Sequence, residues 1–153
     1  MTLSKLLNPE LVKIKVESSS KDELISKLTE SIFRTDHDIP ISQEDLLQAI
    51  FKREQIGGTS LPSGLSVPHS RLGNYEGFIF ALGTSKEPLF NEGVQIKVMA
   101  LMLSSQSGGP YYLPTVAALT KLSRDGEYFS RLSEAENKDD FIRILMERDP
   151  ELG

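Results

Sequence analysis

One of the two histidines of this 153-residue chain, His69, closes the run Arg53-Glu54-Gln55-Ile56-Gly57-Gly58-Thr59-Ser60-Leu61-Pro62-Ser63-Gly64-Leu65-Ser66-Val67-Pro68-His69-Ser70. A neutral imidazole offers a nitrogen lone pair at cellular pH, so a well-placed histidine can act as a nucleophile. Gly57, Gly58 and Gly64 let the backbone turn tightly and approach a bound group closely. Pro68 fixes φ just before His69, so the backbone dictates where the ring stands. Arg53 and Arg71 flank the run and can give charge-assisted hydrogen bonds to an anion. Plainer readings stay beside this one. His69 can be a satisfied buried side chain at a strand end, the glycines can mark turns alone, and Arg53 can complement a helix dipole. Arg71 is read as a surface residue first and a partner contact second. His37, in Thr35-Asp36-His37-Asp38, reads as part of a solvated loop rather than a metal site.

Arg53-Glu54, Thr59, Gly64 and Val67-Pro68-His69 stand in the arrangement typical of the IIA domains of the fructose/mannitol/nitrogen class (EIIA type 2) of the phosphotransferase system, which the chain resembles. The resemblance runs from about Leu3 to Met146 and includes Pro88-Leu89-Phe90-Asn91 and Tyr112-Leu113 through Arg124-Asp125. It implies reversible phosphoryl transfer through His69, with Nε2 attacking and Nδ1 held by a backbone carbonyl. Positioning and electrostatics carry such catalysis, which needs no metal or other cofactor. Arg53 is then the electrostatic candidate. Thr59 and Tyr112 are hydrogen-bond donors, Gly64 and Ser70 phosphate-binding positions, and Glu54 a residue that orients Arg53. The chain departs from the family at Tyr112, where the transporters carry a second histidine, and at Ser70, where a small apolar residue or glycine is usual. A tyrosine can donate a hydrogen bond but carries no positive charge near neutral pH.

Two functions follow from the resemblance. One is a regulatory nitrogen-type protein that takes a phosphoryl group from HPr, or from a nitrogen-branch HPr-like phosphocarrier, and controls a transporter, channel or kinase by its phosphorylation state. The other is a sugar-transport component that hands the group to a IIB domain. A third reading keeps only a binding fold without phosphorylation.

Composition narrows the classes. The net charge of −5 argues against nucleic acid, whose phosphates demand a basic face. The absence of cysteine excludes disulfides and thiol chemistry. Val98 to Leu103 is an apolar run of buried-strand length, too short to span a bilayer, and the N-terminus lacks a signal-peptide core; a cytoplasmic protein without membrane insertion is expected.

The elements that must position the histidine are legible in outline. Leu11 to Glu17 alternates as a half-buried strand. Ser20 and Glu23 form a capping box for a helix with Leu24, Ile25, Leu28, Ile32 and Phe33 inward. Ser42 caps a second helix, with Leu46, Leu47, Ile50 and Phe51 inward, whose last turn delivers Arg53. Leu65 to Val67, Phe78 to Leu82 and Val94 to Leu103 read as strands. Leu113 to Leu122 reads as a helix offering Val116, Ala117, Leu119 and Thr120, with short helices at Glu127 to Leu132 and Asp139 to Met146. Interleaved strands and helices point to one α/β domain over residues 1–153, a three-layer sandwich with a small mixed sheet between helices.

Overall fold

A computed structural model describes residues 1–153. Alternation in Val12-Lys13-Ile14-Lys15-Val16 yields β1 (Val12–Val16), which runs parallel to β4 (Phe78–Ser85). β4 is antiparallel to β7 (Val98–Ser105), the sheet's almost wholly buried strand. Two short segments, β2 (Leu65–Ser66) and β3 (His69–Leu72), run parallel to β7 along its other side. The mixed sheet therefore reads β1-β4-β7, with β2 and β3 in succession on the last edge.

Helices cover both faces because both faces of β4 and β7 are apolar. On one side Ala81, Met99, Leu101 and Leu103 meet Leu24, Leu28 and Ile32 of α2 (Lys21–Thr35) and Leu46 and Ile50 of α3 (Gln43–Ile56). On the other, Phe80, Leu82, Ala100 and Met102 meet α4 (Tyr112–Ser123), α5 (Gly126–Ser133) and α6 (Lys138–Met146) through Leu119, Phe129 and Phe141. The expected three-layer α/β sandwich is the observed one. A short α1 (Leu3–Leu6) and a 3₁₀ turn at Pro9–Leu11 precede β1, neither expected from the sequence. No helix is long and apolar enough to cross a membrane.

The caps act as their residue types dictate: the hydroxyls of Ser20 and Ser42 accept from the amides of Glu23 and Asp45, both at 3.1 Å. Other expectations need correction. Val94 to Leu103 is two strands. β6 (Val94–Ile96) forms a hairpin with β5 (Leu89–Asn91), and Lys97 breaks the run by donating its amide to the Gly64 carbonyl at 2.7 Å. The hairpin turns at Glu92 and Gly93, both with positive φ, a geometry that suits the twist of a two-residue loop. The strand expected at Leu65 to Val67 stops at Ser66, and His69 begins the next strand instead. α4 buries Thr115, Ala118, Leu119 and Leu122, whereas Ala117 is exposed. Its sequence is apolar nearly all round, so periodicity alone could not set the inward face.

Candidate functional site

Pro68 interrupts the edge beside β7, since it has no amide to donate, while its carbonyl accepts from Met102 N at 2.9 Å. β3 then resumes, with His69 aligned to Met102 and Arg71 to Ser104. Strand alternation turns His69 toward the α4 side and Ser70 toward the α2–α3 side. His69 is 2% exposed. Its Nε2 lies 2.8 Å from Ser104 Oγ, and the Ser104 hydroxyl donates to the Ser105 carbonyl at 3.1 Å. Tyr112, the first residue of α4, stacks on the imidazole with centroids 3.8 Å apart and planes 13° from parallel. Burial, followed by the positive charges of Arg53 and Arg71, lowers the His69 pKa to about 4. The ring is neutral across the physiological range.

Arg53 lies in the last turn of α3 and Arg71 on β3; both are exposed, and neither is paired with a carboxylate. Their charge is available to a third group. Glu54 does not orient Arg53. It points away from its neighbour, as adjacent helical residues do, and takes an ion pair from Lys21 at the start of α2. The same carboxylate accepts the Thr59 hydroxyl at 3.0 and 2.8 Å. Thr59 is thus committed to Glu54, and the pair ties the Gly57-Gly58 loop to two helices. Asn91 of the β5–β6 hairpin steadies the loop further by donating to Ser60 Oγ at 3.2 Å.

Gly64 also has a different task from the one expected. Its φ is +98°, and a Cβ there would stand 2.8 Å from Lys97 Cγ and 3.0 Å from the Gln95 carbonyl. It neighbours Val98, four residues along β7 from the partner of His69, or roughly 13 Å. Gly64 builds the turn into β2 and does not line the histidine site. Ser70 is buried on the opposite face of the sheet. Tyr112 presents its ring to His69 rather than its hydroxyl.

The structure adds participants absent from the sequence reading. Ser104 lies just past the run read as a strand from Val94 to Leu103, and only the parallel register with β3 places it at the imidazole. Lys21, the first residue of α2, reaches Glu54 only through the packing of α2 on α3. Gly108 and Gly109, with φ of 92° and 65°, lead into α4, whose N-cap Tyr111 gives no side-chain cap. The first turn of α4 therefore brings uncapped amides and the positive end of a helix dipole near the ring. A signal existed in Ser107-Gly108-Gly109-Pro110. No group of three His, Cys, Asp or Glu side chains converges to hold a metal, and Asp36 instead closes a local turn onto the Asp38 amide at 2.8 Å. A neutral imidazole beside two unpaired guanidiniums can attack an electrophilic phosphorus and hold the dianion that results.

Comparison with known proteins identifies the family. The chain is 28% identical over 150 residues to the PTS system 2-O-alpha-mannosyl-D-glycerate-specific EIIABC component of Escherichia coli (strain K12), covering 95% of this chain and 22% of that protein. It is 23% identical over 155 residues to a nitrogen regulatory protein of Klebsiella oxytoca, covering 96% of this chain and 91% of that one. The chain spans less than a quarter of the multicomponent relative's length. Its fold matches the crystal structure of nitrogen regulatory protein IIA-Ntr from Neisseria meningitidis, with a TM-score of 0.74 and 19% identity over 94% of this chain and 98% of the other. Since the family model described as "Phosphoenolpyruvate-dependent sugar phosphotransferase system, EIIA 2" matches residues 5–148, the chain belongs to that family.

Proposed function

We propose that the protein is a regulatory, nitrogen-type IIA protein. It accepts a phosphoryl group on His69 from HPr or a nitrogen-branch HPr-like phosphocarrier and controls partner proteins by its phosphorylation state. The observation that carries this reading is a buried, unprotonated imidazole beside Arg53 and Arg71, neither of which has a carboxylate partner. The lone pair of His69 attacks phosphorus on the donor's phosphohistidine. A new N–P bond forms as the donor's N–P bond breaks, and the bonding pair stays on the donor ring. Arg53 and Arg71 neutralise the transferred oxygens, and the α4 N-terminus adds to their field. Tyr112 supports the ring by stacking and brings no charge of its own. Thr59, Glu54 and Gly64 act through the loop and turn they hold. Phosphorylation places about two negative charges on this face, enough to reverse its attraction for a partner.

The 28% identity to a sugar-specific EIIABC component favours a second reading, in which the group passes from HPr through His69 to a fructose/mannitol-type IIB domain. Intact-mass measurement at mildly alkaline pH tests both, after incubation with phosphoenolpyruvate, enzyme I and either HPr or a nitrogen-branch phosphocarrier. One added phosphoryl group in the parent and none in His69→Ala is expected. A folded parent that gains nothing from either donor leaves only a binding fold. Loss of the label to an added IIB domain would favour the transport reading.

A further inference from the structure

We infer that Lys21 is a positioning residue for the transfer: through Glu54 and Thr59 it holds the last turn of α3 at the angle that sets Arg53 beside His69. The inference deepens the reading of His69 as the phosphoryl acceptor and rests on it for its functional meaning. Arg53 has no carboxylate partner to fix its side chain, so its place depends on the α3 backbone that carries it. That backbone ends without the usual brace. The C-cap, Gly57, is extended at φ −167° rather than left-handed, and its amide reaches the Arg53 carbonyl only at 3.3 Å. Ile56, the last helical residue, is 83% exposed and anchors nothing in the core. The turn that bears Arg53 is therefore held by side chains.

Those side chains form one connected line. The Thr59 hydroxyl donates to the Glu54 carboxylate, and the Lys21 ammonium pairs with the same carboxylate. Glu54 is too enclosed for water to replace the cation, so its charge depends on Lys21. Lys21 also breaks a local rule. It stands in the first turn of α2, at the positive end of the helix dipole, where a cation is unfavourable. The contact across to α3 offsets that local cost. Asp22 and Glu92 line the same crevice between α2, α3 and the β5–β6 hairpin, yet Lys21 pairs with neither. Without Lys21, Glu54 must turn out to water or draw a cation from its own helix. Either movement shifts the last turn of α3, and Arg53 with it. Because the positive charge of Arg53 acts on His69, the titration of the imidazole reports where that guanidinium stands. Burial, Arg71 and the neutral neighbours Ser104 and Tyr112 set the rest of that environment.

The test joins an NMR titration of His69 to phosphorylation kinetics with the phosphocarrier that labels the parent. The variants are Lys21→Met, Lys21→Arg, Thr59→Val, Arg53→Gln, and Lys21→Met combined with Arg53→Gln. Lys21→Met is expected to raise the His69 midpoint in the direction of Arg53→Gln, and Lys21→Arg to restore the parent value. The combined variant should go no higher than Arg53→Gln alone, since both changes act through one guanidinium. In Lys21→Met, kcat should fall roughly tenfold while KM for the phosphocarrier stays within about twofold. A purely structural lysine would lower stability and leave the midpoint of the folded protein at the parent value. That unmoved midpoint overturns the inference, as does an additive combined shift or a kcat within about twofold of the parent. Thr59→Val breaks the line while keeping the ion pair, so it stands in if Lys21→Met does not fold. Its midpoint must also rise, and an unmoved one is equally fatal. The titration needs no phosphoryl donor. A parent that cannot be phosphorylated therefore defeats the proposed function, while the midpoints still decide whether Lys21 sets the place of Arg53.

Discussion

Burial and two guanidiniums act on His69 in the same direction, and the sign of their effect is measurable. The folded-state pKa of about 4 lies below the ordinary histidine value of 6.5. The folded chain thus binds this proton less readily than the unfolded chain does. The associated stability is fully present above pH 6.5 and is lost as pH falls toward 4. An NMR titration of His69 should give a midpoint near 4, and Arg53→Gln or Arg71→Gln should each move it upward. His69→Ala should flatten the stability profile between pH 4 and 6.5; an unchanged slope would remove His69 as its source. The Lys21–Glu54 pair makes a second prediction, because its side chains are 12% and 9% exposed. Lys21→Met leaves the Glu54 carboxylate without its cation and should cost about 3 kcal/mol in chemical denaturation. The cost of the double variant with Glu54→Gln should fall well short of the two single costs added together, since both remove one interaction. Additive costs would show that the pair is not coupled.

The elements obey local rules wherever one residue controls a backbone group. Ser20→Ala and Ser42→Ala should each cost about 1 kcal/mol, since each hydroxyl satisfies one amide of a helix start. Gly64→Ala should cost roughly 2 kcal/mol or more. It forces an L-residue to φ +98° and drives a methyl group against Lys97. Its phosphorylation rate should nevertheless stay near the parent's when the variant is held folded, because Gly64 lies away from the ring. A loss of phosphorylation beyond the loss of folded protein would return Gly64 to the site. The same local rules fail at β5 and β6. Glu92 adopts φ 52° only because the hairpin demands it, and no glutamate advertises that conformation in advance.

The chain ends are joined across the whole molecule. Leu3 donates to Pro150, Leu152 donates to Met1, and the Asp149 carboxylate accepts from the amide and hydroxyl of Ser4 at 2.9 and 2.6 Å. Leu152 packs against the core beneath α4–α6. Removal of residues 149–153 should therefore lower stability by about 2–3 kcal/mol in denaturant unfolding, through lost charge-assisted bonds and apolar contact. A truncated protein as stable as the parent would show the clasp to be ornamental.

The candidate histidine, its proline, the flanking arginines and the capped helices were legible because each depends on residue type and short spacing. Pro68 acts on its immediate neighbour, and Ser20 acts three residues away. The layered α/β architecture was legible for a related reason, since strands apolar on both faces must be covered by helices. What lay beyond the sequence depends on register between distant segments. Ser104 reaches His69 only because β3 runs parallel to β7 in one alignment. Glu54 turns from Arg53 to Lys21 because α2 and α3 pack side by side, and Gly64 is parted from the histidine by the length of β7 between Val98 and Met102. A strand slipped by one residue would turn every side chain to the other face. The apolar strands are rich enough in hydrophobic residues to tolerate several registers on composition alone, and only their packing against both helical layers selects one.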